Sequence, residues 1–417
     1  MLEARTPIPV SEAVARVIEK ALPLGSETVL LAESYGRILA APLVATHDVP
    51  PFNRAPYDGF AIRSQDSAGA SNENRITFTV VDHIGAGEVS HKTLGEREAV
   101  RIMTGASVPS GANAVVMLEQ AISSEAEATF MIRKPFAEQE NLSLRGEDMR
   151  EGEFVIPAGS FINPGTAALL ATFGYGEVEV AKRPVVGVLA TGTELLEVHE
   201  ALTPGKIRNS NGPMISTQLA RMGVPCKMYK MASDNLEECL VAVRKAMEET
   251  DCLITTGGVS VGDFDYLPAI YERIQAEVLF NKVAMRPGSV TTVAHVDGYF
   301  LFGLSGNPSA CYTGFELFVR PALLKKMGAQ KLYLPRTKAV LAGDFTKANP
   351  FTRFVRAVYD GTHVRPAGFN KSNAVSSIAR GDSLIVLPGG TRGFKAGDVV
   401  DVLLLGVDEG LSGWALS

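Results

Sequence analysis

The chain has few of the side chains from which disulfide frameworks and zinc sites are built. Its 417 residues include four cysteines, which lie far apart and form no Cys-x-x-Cys pair, so we expect them to be reduced and buried. Its six histidines are equally scattered, which argues against a zinc centre. No Ser-His-Asp or Cys-His arrangement has local support, which argues against nucleophilic catalysis.

Long apolar and long basic runs are also missing. No apolar run approaches the roughly 18 residues of a membrane span, and the segment Met1–Pro7 lacks the apolar core of a signal peptide. A net charge of −6 without a long basic run argues against nucleic acid as the main partner. We therefore expect a cytoplasmic protein of roughly two to four domains.

The stretch from Asp251 to Tyr266 carries the clearest local pattern. It opens with a short apolar run, which predicts a fully buried strand ending in the glycine loop Thr255–Gly258. The backbone N–H groups of such a loop suit an anionic ligand. Asp263 and Asp265 would repel a bare phosphate, so we expect a hydrated Mg²⁺ between them and the ligand. The alternative is a tight turn in which Asp265 caps the next helix.

This stretch belongs to a segment, residues 184–329, in which short strands and helices alternate. Repeated βα units predict a doubly wound, mainly parallel sheet that is covered on both faces. Ligands of such sheets bind outside the carboxyl ends of the strands. The glycine loop lies at that edge, which therefore becomes the predicted ligand site.

Three further loops belong to the same edge. Glu194 follows the first strand and could meet Asp265 at a metal, or could begin a helix as a glutamate stabilised by the helix dipole. Asp234 precedes a helix, where capping is the stronger interpretation. The segment Leu304–Ser309 predicts a helix start with Asn307 as its cap, and its N–H groups and hydroxyls suit an oxyanion.

Several cations accompany these loops. Lys282 and Arg286 lie near the same edge, and Arg286 precedes a proline, which restricts its backbone and suits a fixed bidentate donor for phosphate or a tetrahedral oxyanion. A solvated surface arginine is the alternative. Nearer the C-terminus, Arg356, Lys371 and Ser372 are further oxyanion donors, although a charged barrel surface explains them as easily.

The rest of the chain predicts mostly strands. A short helical stretch is expected at residues 35–40. It is followed by an irregular loop from His47 to Arg63, whose three prolines forbid regular structure and whose aromatic residues need a partner surface. Short strands punctuated by turn residues follow from Ile76 to Arg133 and predict a small all-β domain. Beyond Pro335, four strand-like runs predict a β-barrel or sandwich.

Six motifs occur along the chain in the same order as in a known protein family. They are Pro56–Arg63, Arg101–Ala106, Arg145–Asp148, Thr191–Leu195, Thr256–Gly262 and Gly306–Pro308. With them, the chain resembles the molybdopterin molybdenumtransferases, the family that also contains the C-terminal part of gephyrin. The resemblance covers nearly the whole chain, and the number and order of the motifs make it specific.

The resemblance implies a multidomain α/β plus β subunit. Its parts would be a mixed α/β segment split between residues 1–45 and 146–183, an inserted β-rich domain at 46–145, a molybdopterin-binding doubly wound α/β domain at 184–329, and a C-terminal β-barrel at 330–417. It also implies a homodimer with an active site between subunits. The implied reaction inserts molybdate into adenylylated molybdopterin, with Mg²⁺ present, and releases AMP.

Residue roles follow from the same resemblance. It implies Asp58, Thr104 and Asp148 as catalytic residues of the first two domains, and Glu194 and Asp265 as catalytic residues that also bind the metal. Asp234 would serve the pyrophosphate and metal together with them. The remaining substrate-binding residues would be Gly257, Gly258, Ser260, Lys282, Arg286, Asn307, Ser309, Arg356 and Ser372, of which Lys282, Arg286, Ser309, Arg356 and Ser372 would hold molybdate.

The sequence departs from the family pattern in several places. The usual Met-Asp-Gly-Tyr-Ala is replaced by Tyr57–Ala61, and two of the substrate-binding loops also differ. The usual Lys-Pro-Gly-Lys-Pro is replaced here by Arg286–Val290, so Ser289 stands where a lysine is usual beside the proposed oxyanion site. The usual Leu-Pro-Gly-Asn-Pro has Ser305 at its second position. One positive charge is therefore missing from the expected molybdate site.

Two alternatives to the enzyme remain at this stage. A non-catalytic molybdopterin-binding scaffold is favoured slightly by Ser289, whereas Asp58, Asp148, Glu194 and Asp265 favour the enzyme. A molybdopterin adenylyltransferase-like activity is the other alternative, and the additional domains around the α/β unit argue against it.

Overall fold

The chain folds into two compact units. The structure, a computed structural model, describes residues 6–123, 128–230, 236–257 and 266–406. One unit comprises Met1–Ala41, Ala158–Ala168 and Gly176–Ser417, and the other comprises Pro42–Pro157 and Leu169–Tyr175. Among the described helices, none has the length and apolarity that a membrane crossing requires.

The amino-terminal part is built from short strands and two longer helices. Helix α1 spans Val10–Lys20 and buries Val14 and Val17 on one face, and α2 spans Pro164–Thr172. The strands are β1 Ser26–Leu30, β2 Leu43–Val44, β3 Gly59–Ile62, β4 Ile76–Ile84, β5 Glu98–Ile102, β6 Ala114–Met117, β7 Ile122–Ser123, β8 Thr129–Ile132, β9 Phe154–Ile156 and β10 Glu177–Ala181.

The predicted β-rich domain is a six-stranded sheet in the order β6-β3-β5-β4-β8-β7. Strand β3 is buried at every position, and Phe60 stacks on Phe130 with ring centroids 4.0 Å apart. The sequence had placed this strand in the irregular loop from His47 to Arg63, which was wrong for residues 59–62. The prolines end before β3 begins, so the strand is free to pair on both sides.

The short helix predicted at residues 35–40 was also wrong. The chain turns there, and Ile38 and Leu39 form isolated bridges to Phe161 and Val180. Both are 3% exposed. Tertiary pairing with strand-forming partners has overridden the local helical pattern.

The next part alternates strands and helices, as the sequence predicts. Its strands are β11 Val186–Ala190, β12 Leu195–Leu196, β13 Ile207–Arg208, β14 Cys226–Lys230, β15 Cys252–Thr256, β16 Glu277–Phe280, β17 Met285–Arg286, β18 Thr292–Val296 and β19 Tyr299–Leu304. Its helices are α3 Asn211–Arg221, α4 Leu236–Glu249, α5 Leu267–Arg273, α6 Pro308–Gly314 and α7 Arg320–Lys326, with a π-helical turn at Phe315–Val319.

The main sheet of this part has the order β14-β11-β15-β19-β18-β16. The first four strands are parallel, and β18 and β16 add an antiparallel edge. All five residues of β15 are buried, which accounts for the apolar run Cys252–Ile254 at its start. The predicted doubly wound α/β domain is confirmed.

The C-terminal part is a closed five-stranded barrel. It contains β20 Arg336–Leu341, β21 Thr352–Tyr359, β22 His363–Pro366, α8 Ser376–Arg380, β23 Ser383–Leu387 and β24 Val399–Leu404. The order β21-β22-β20-β24-β23 closes because β23 also pairs with β21. Strand β17 joins the barrel from the α/β part by pairing with β21. The predicted C-terminal barrel is confirmed.

Candidate functional site

The carboxyl ends of three parallel strands meet at the predicted ligand edge. Strand β11 continues into Thr191, whose N–H and hydroxyl both donate to the carbonyl of Thr256, at 3.0 and 3.2 Å. Strand β15 continues into Gly257, whose N–H donates to the carbonyl of Leu304 at 3.1 Å. Asn211, the first residue of α3, donates its Nδ2 to the carbonyl of Gly306 at 2.9 Å. These bonds fix the three loops against each other.

The first glycine of the glycine loop, Gly257, cannot be replaced without strain, for two reasons. Gly257 has φ +87°, a conformation that residues with a Cβ rarely adopt. A Cβ at this position would lie 2.6 Å from the carbonyl oxygen of Thr191. The chain can therefore pass the Thr191 carbonyl at the end of β15 only because glycine has no side chain.

Glu194 lies in a turn that leads into β12, and its side chain is exposed. No helix begins there, so the alternative interpretation of Glu194 as a helix-start glutamate was wrong. An exposed carboxylate at the strand edge has the oxygen chemistry that Mg²⁺ takes, together with water.

Four of the predicted site residues cannot be placed against Glu194. Asp234, Gly258, Ser260 and Asp265 lie outside the described residues, as does Asp263. Within the described ranges, no group of three or more His, Cys, Asp or Glu side chains could hold a metal ion. The Mg²⁺ site and the two predicted aspartate caps remain predictions.

The second unit brings two predicted catalytic residues together. The carboxylate of Asp58, just before β3, accepts hydrogen bonds from the Thr104 backbone N–H at 2.7 Å and from its hydroxyl at 2.8 Å. These bonds lower the pKa of Asp58 below its usual value, the backbone bond being the larger cause. Asp148 is exposed in a separate turn, where its N–H donates to the carbonyl of Val49 at 3.0 Å.

A cavity of about 280 Å³ lies where β17 meets the barrel, and its lining is rich in cations. It is lined by Arg286, Pro287, Lys347, Ala348, Asn349, Pro350, Phe351, Arg353, Phe354, Val355, Arg356, Asn370 and Ser372. Arg286 and Arg353 are register partners in the parallel pair β17–β21. Among the described lining residues there is no aspartate or glutamate, so positive charge prevails in the cavity.

Arg356 is the most constrained cation of this lining. It is 2% exposed, its Nε donates to the Ser377 hydroxyl at 2.9 Å, and its Nη2 donates to the carbonyl of Lys371 at 3.2 Å. Burial, with a smaller contribution from the charge of Arg353, lowers the pKa of Arg356 to about 10. The guanidinium is thus still charged at neutral pH, and an anion beside it would offset the cost of its burial.

Of the predicted molybdate residues, Arg286, Arg356 and Ser372 line the cavity, whereas Ser309 is not among the lining residues. Ser309 is fully buried, its hydroxyl donates to the carbonyl of Ala374 at 2.6 Å, and its N–H donates to the carbonyl of Ser372 at 3.0 Å. It therefore holds the loop that carries Ser372. Lys282 is not among the lining residues, and its carbonyl accepts a hydrogen bond from Ile8.

Asn307 occupies the predicted cap position of α6 but makes no capping bond with its side chain. Its N–H instead donates to the Ser305 hydroxyl at 3.2 Å. Ser305, which replaces the proline of the family pattern, thus supplies a local contact that proline could not make.

Sequence reasoning missed four polar lining residues, Lys347, Asn349, Arg353 and Asn370. Lys347 and Asn349 lie in the loop before β21, and no local motif singles them out. Of these residues, only Arg353 had a signal in the sequence, because it is a second arginine three residues before the predicted Arg356 on the same strand.

Comparison with known proteins agrees with the fold and with the motif order. Three family models match the chain: MoeA N-terminal region (domain I and II) at residues 8–174, probable molybdopterin binding domain at 187–325, and MoeA C-terminal region (domain IV) at 338–405. The crystal structure of the molybdopterin biosynthesis moeA protein from Pyrococcus horikoshii OT3 is similar, with a TM-score of 0.82 at 28% identity, covering 96% of this chain and 100% of that one.

Curated relatives are similar over almost their whole length. A molybdopterin molybdenumtransferase of Staphylococcus epidermidis is 59% identical over 407 residues, and one of Staphylococcus aureus is 58% identical over 408 residues; each match covers 97% of both chains. The chain belongs to the molybdopterin molybdenumtransferase family. The resemblance inferred from the six motifs is confirmed.

The steric requirement for glycine at position 257 can be tested by comparing alanine substitutions at Gly257 and at Gly205. Gly205 has a similar φ of +80°, but a Cβ added there would meet no atom within 4 Å, so Gly205→Ala should cost only the conformational term, about 1–2 kcal/mol. Gly257→Ala should cost about 1–3 kcal/mol more, because the Thr191 carbonyl must move. Thermal unfolding of both variants measures the difference. Equal midpoints would show that the crossing tolerates a side chain.

Proposed function

We propose that this protein inserts molybdate into adenylylated molybdopterin and releases AMP, giving molybdenum cofactor. The cation-lined cavity beside β17 carries the proposal, since it offers a small tetrahedral dianion positive charge without a competing carboxylate among its described lining residues. The family membership supplies the pterin substrate. The absence of a membrane-crossing helix among the described residues is compatible with action in the cytoplasm.

The cavity residues have separable tasks in this proposal. Arg286 is exposed and can turn its planar guanidinium to the ligand, whereas the buried Arg356 is held by Ser377 and Lys371. A fixed and a movable guanidinium together can bind two edges of one oxyanion. Each close charge contact is worth about 1–4 kcal/mol at 4 Å before desolvation is subtracted. Ser309 acts through the Ser372 loop as a positioning residue.

Mg²⁺ is the second part of the proposal. Glu194 and Asp265 would hold it, because Mg²⁺ is usually bound by one or two carboxylates, substrate phosphates and water. When bound, the ion would neutralise pyrophosphate charge at the strand edge. The exposed Glu194 fits such an open, largely hydrated site.

A homodimer with intersubunit sites is the third part. In the second unit, Phe52 is 44% and Tyr57 50% exposed, and both lie in the segment that leads to Asp58, whose carboxylate accepts from Thr104. Exposed aromatic residues next to a tuned carboxylate favour a partner surface there. We propose that Asp58 acts on the α/β domain of the neighbouring subunit.

The proposed function is tested by titrating cofactor synthesis from purified adenylylated molybdopterin with molybdate. Arg286→Ala should raise the molybdate concentration needed for half-maximal rate by about tenfold, because one close charge contact is lost. Binding of adenylylated molybdopterin should stay nearly unchanged, since its predicted contacts come from other loops. Lys182→Ala, which removes an exposed cation outside the cavity lining, is the matched control.

A further arm of this titration uses Ser289. It is not among the lining residues, and its carbonyl accepts a hydrogen bond from the Val283 N–H at 2.8 Å. Ser289→Lys should therefore lower the molybdate concentration at half-maximal rate only if the longer side chain reaches the cavity.

If Arg286→Ala leaves the molybdate concentration at half-maximal rate unchanged, the oxyanion binds elsewhere. If the wild type never responds to molybdate, the scaffold alternative is favoured.

The metal proposal is tested with Asp265→Asn. The variant should lose Mg²⁺-dependent turnover and bind Mn²⁺, followed by electron paramagnetic resonance, at least about tenfold more weakly, because a charged ligand becomes neutral. Stability should hardly change, since asparagine caps a helix about as well as aspartate. Unaltered turnover together with unaltered Mn²⁺ binding would contradict the assignment.

The dimer proposal is tested by complementation. Asp58→Ala and Asp265→Ala subunits, each inactive alone, should recover about a quarter of wild-type activity after exchange, since about half of the dimers are mixed and each has one intact site. Each variant mixed with itself is the control. No activity in verified mixed dimers would mean that both residues of a site come from one chain.

A further inference from the structure

A neutral amide lies among the cations of the cavity. Asn349 is 3% exposed and lines the cavity just before β21. Its main chain is fixed, because its N–H donates to the carbonyl of Thr391 at 2.8 Å and its carbonyl accepts from the N–H of Gly390 at 2.7 Å. Its side-chain Nδ2, however, has no hydrogen-bond partner among the described residues.

An unpartnered buried amide is unusual, because such a donor loses its bonds to water on folding and gains nothing in return. Nδ2 is itself buried in the structure, and a half-turn about the last side-chain torsion would exchange it with the amide oxygen. Asn349 can thus present a donor to the cavity without any movement of the fixed main chain. A ligand that accepts hydrogen bonds would satisfy it.

The chemistry of the lining indicates which ligand this is. Arg286, Lys347, Arg353 and Arg356 contribute only donors, and no aspartate or glutamate is found among the described lining residues. Molybdate and sulfate carry no proton at neutral pH, so every oxygen accepts. Hydrogen phosphate keeps one proton, for which a carboxylate is the strongest acceptor. The side-chain acceptors of the described lining are neutral, namely the hydroxyl of Ser372 and the amide oxygens of Asn349 and Asn370, of which Asn370 Oδ1 is buried without a partner. The lining therefore favours a fully deprotonated oxyanion through its charge.

We propose that Asn349 is a specificity-determining residue of the oxyanion cavity: its amide donates to a tetrahedral dianion and, with the cations around it, selects against hydrogen phosphate. The assignment rests on the proposed function, because it takes molybdate to be the occupant. Lys347 and Arg353 supply from the barrel side the positive charge that Ser289 does not provide.

The test measures binding by isothermal titration calorimetry with molybdate, sulfate and phosphate separately. The wild type should bind molybdate and sulfate at least about tenfold more tightly than phosphate. Asn349→Ala should weaken molybdate binding about tenfold, the effect of losing one hydrogen bond to a charged group. Asn349→Asp should weaken molybdate binding more than Asn349→Ala does, because the new carboxylate repels the dianion. It should also reduce the ratio of molybdate affinity to phosphate affinity, because the carboxylate accepts the proton of hydrogen phosphate.

Asn163→Asp is the matched control. Asn163 lies outside the cavity lining, and its Oδ1 accepts the N–H of Thr166 at 2.9 Å at the start of α2, so aspartate can replace it with the same change of charge. This variant should bind all three anions like the wild type. Circular dichroism establishes that each variant is folded.

The outcomes separate this inference from the proposed function. If the wild type binds molybdate but both Asn349 variants bind it unchanged, the role of Asn349 is overturned and the molybdate proposal stands. Equal affinity of the wild type for phosphate and molybdate would overturn the selectivity. No molybdate binding by the wild type in calorimetry, together with no response in cofactor synthesis, would overturn both.

Discussion

The parallel pairing of β11, β15 and β19 is the constraint on which the site depends. In this ladder Ala190, Thr256 and Leu304 are aligned in register, so the three strands end at the same level. Their loops must then leave the sheet side by side, and main-chain bonds at Thr191 and Gly257 hold them there. The space this leaves admits only a glycine at the crossing. The geometry of the ligand edge is thus set by backbone pairing before any catalytic side chain is considered.

The same edge is joined to the barrel by a few specific contacts. Ser309, at the start of α6, binds the carbonyls of Ser372 and Ala374 on a barrel loop, and β17 pairs with β21. These contacts assemble the cation-lined cavity where the α/β part meets the barrel, and one hydrophobic cluster runs through both parts, since it contains Phe302 of β19 and Phe354 of β21. A buried serine that a motif marks as a ligand donor can therefore serve the site by positioning another loop. The cavity forms only where these two parts of the chain meet, and local sequence patterns do not predict such a junction.

Strong local patterns explain what the sequence could predict. The short apolar run that opens β15 and the alternation of strands and helices identify the α/β domain, and ordered motifs identify the family. The failures have a common cause, which is that distant pairing decided the outcome: Ile38 bridges to Phe161, and Phe60 stacks on Phe130. The same holds for Asn349, whose burial results from the closure of the barrel and its junction with β17, and which no periodicity marks.

The charge in the cavity argues for function rather than stability. A guanidinium as buried as Arg356 is costly without a counter-ion, and the same burial lowers its pKa. Replacing it with an apolar side chain of similar volume would favour folding alone. Its bonds to Ser377 and the Lys371 carbonyl fix its direction but neutralise nothing. A bound dianion would both neutralise the cluster and stabilise the folded protein in proportion to its concentration over its dissociation constant. The free-energy cost of burying this charge and the affinity for a dianion would therefore depend on the same buried guanidinium.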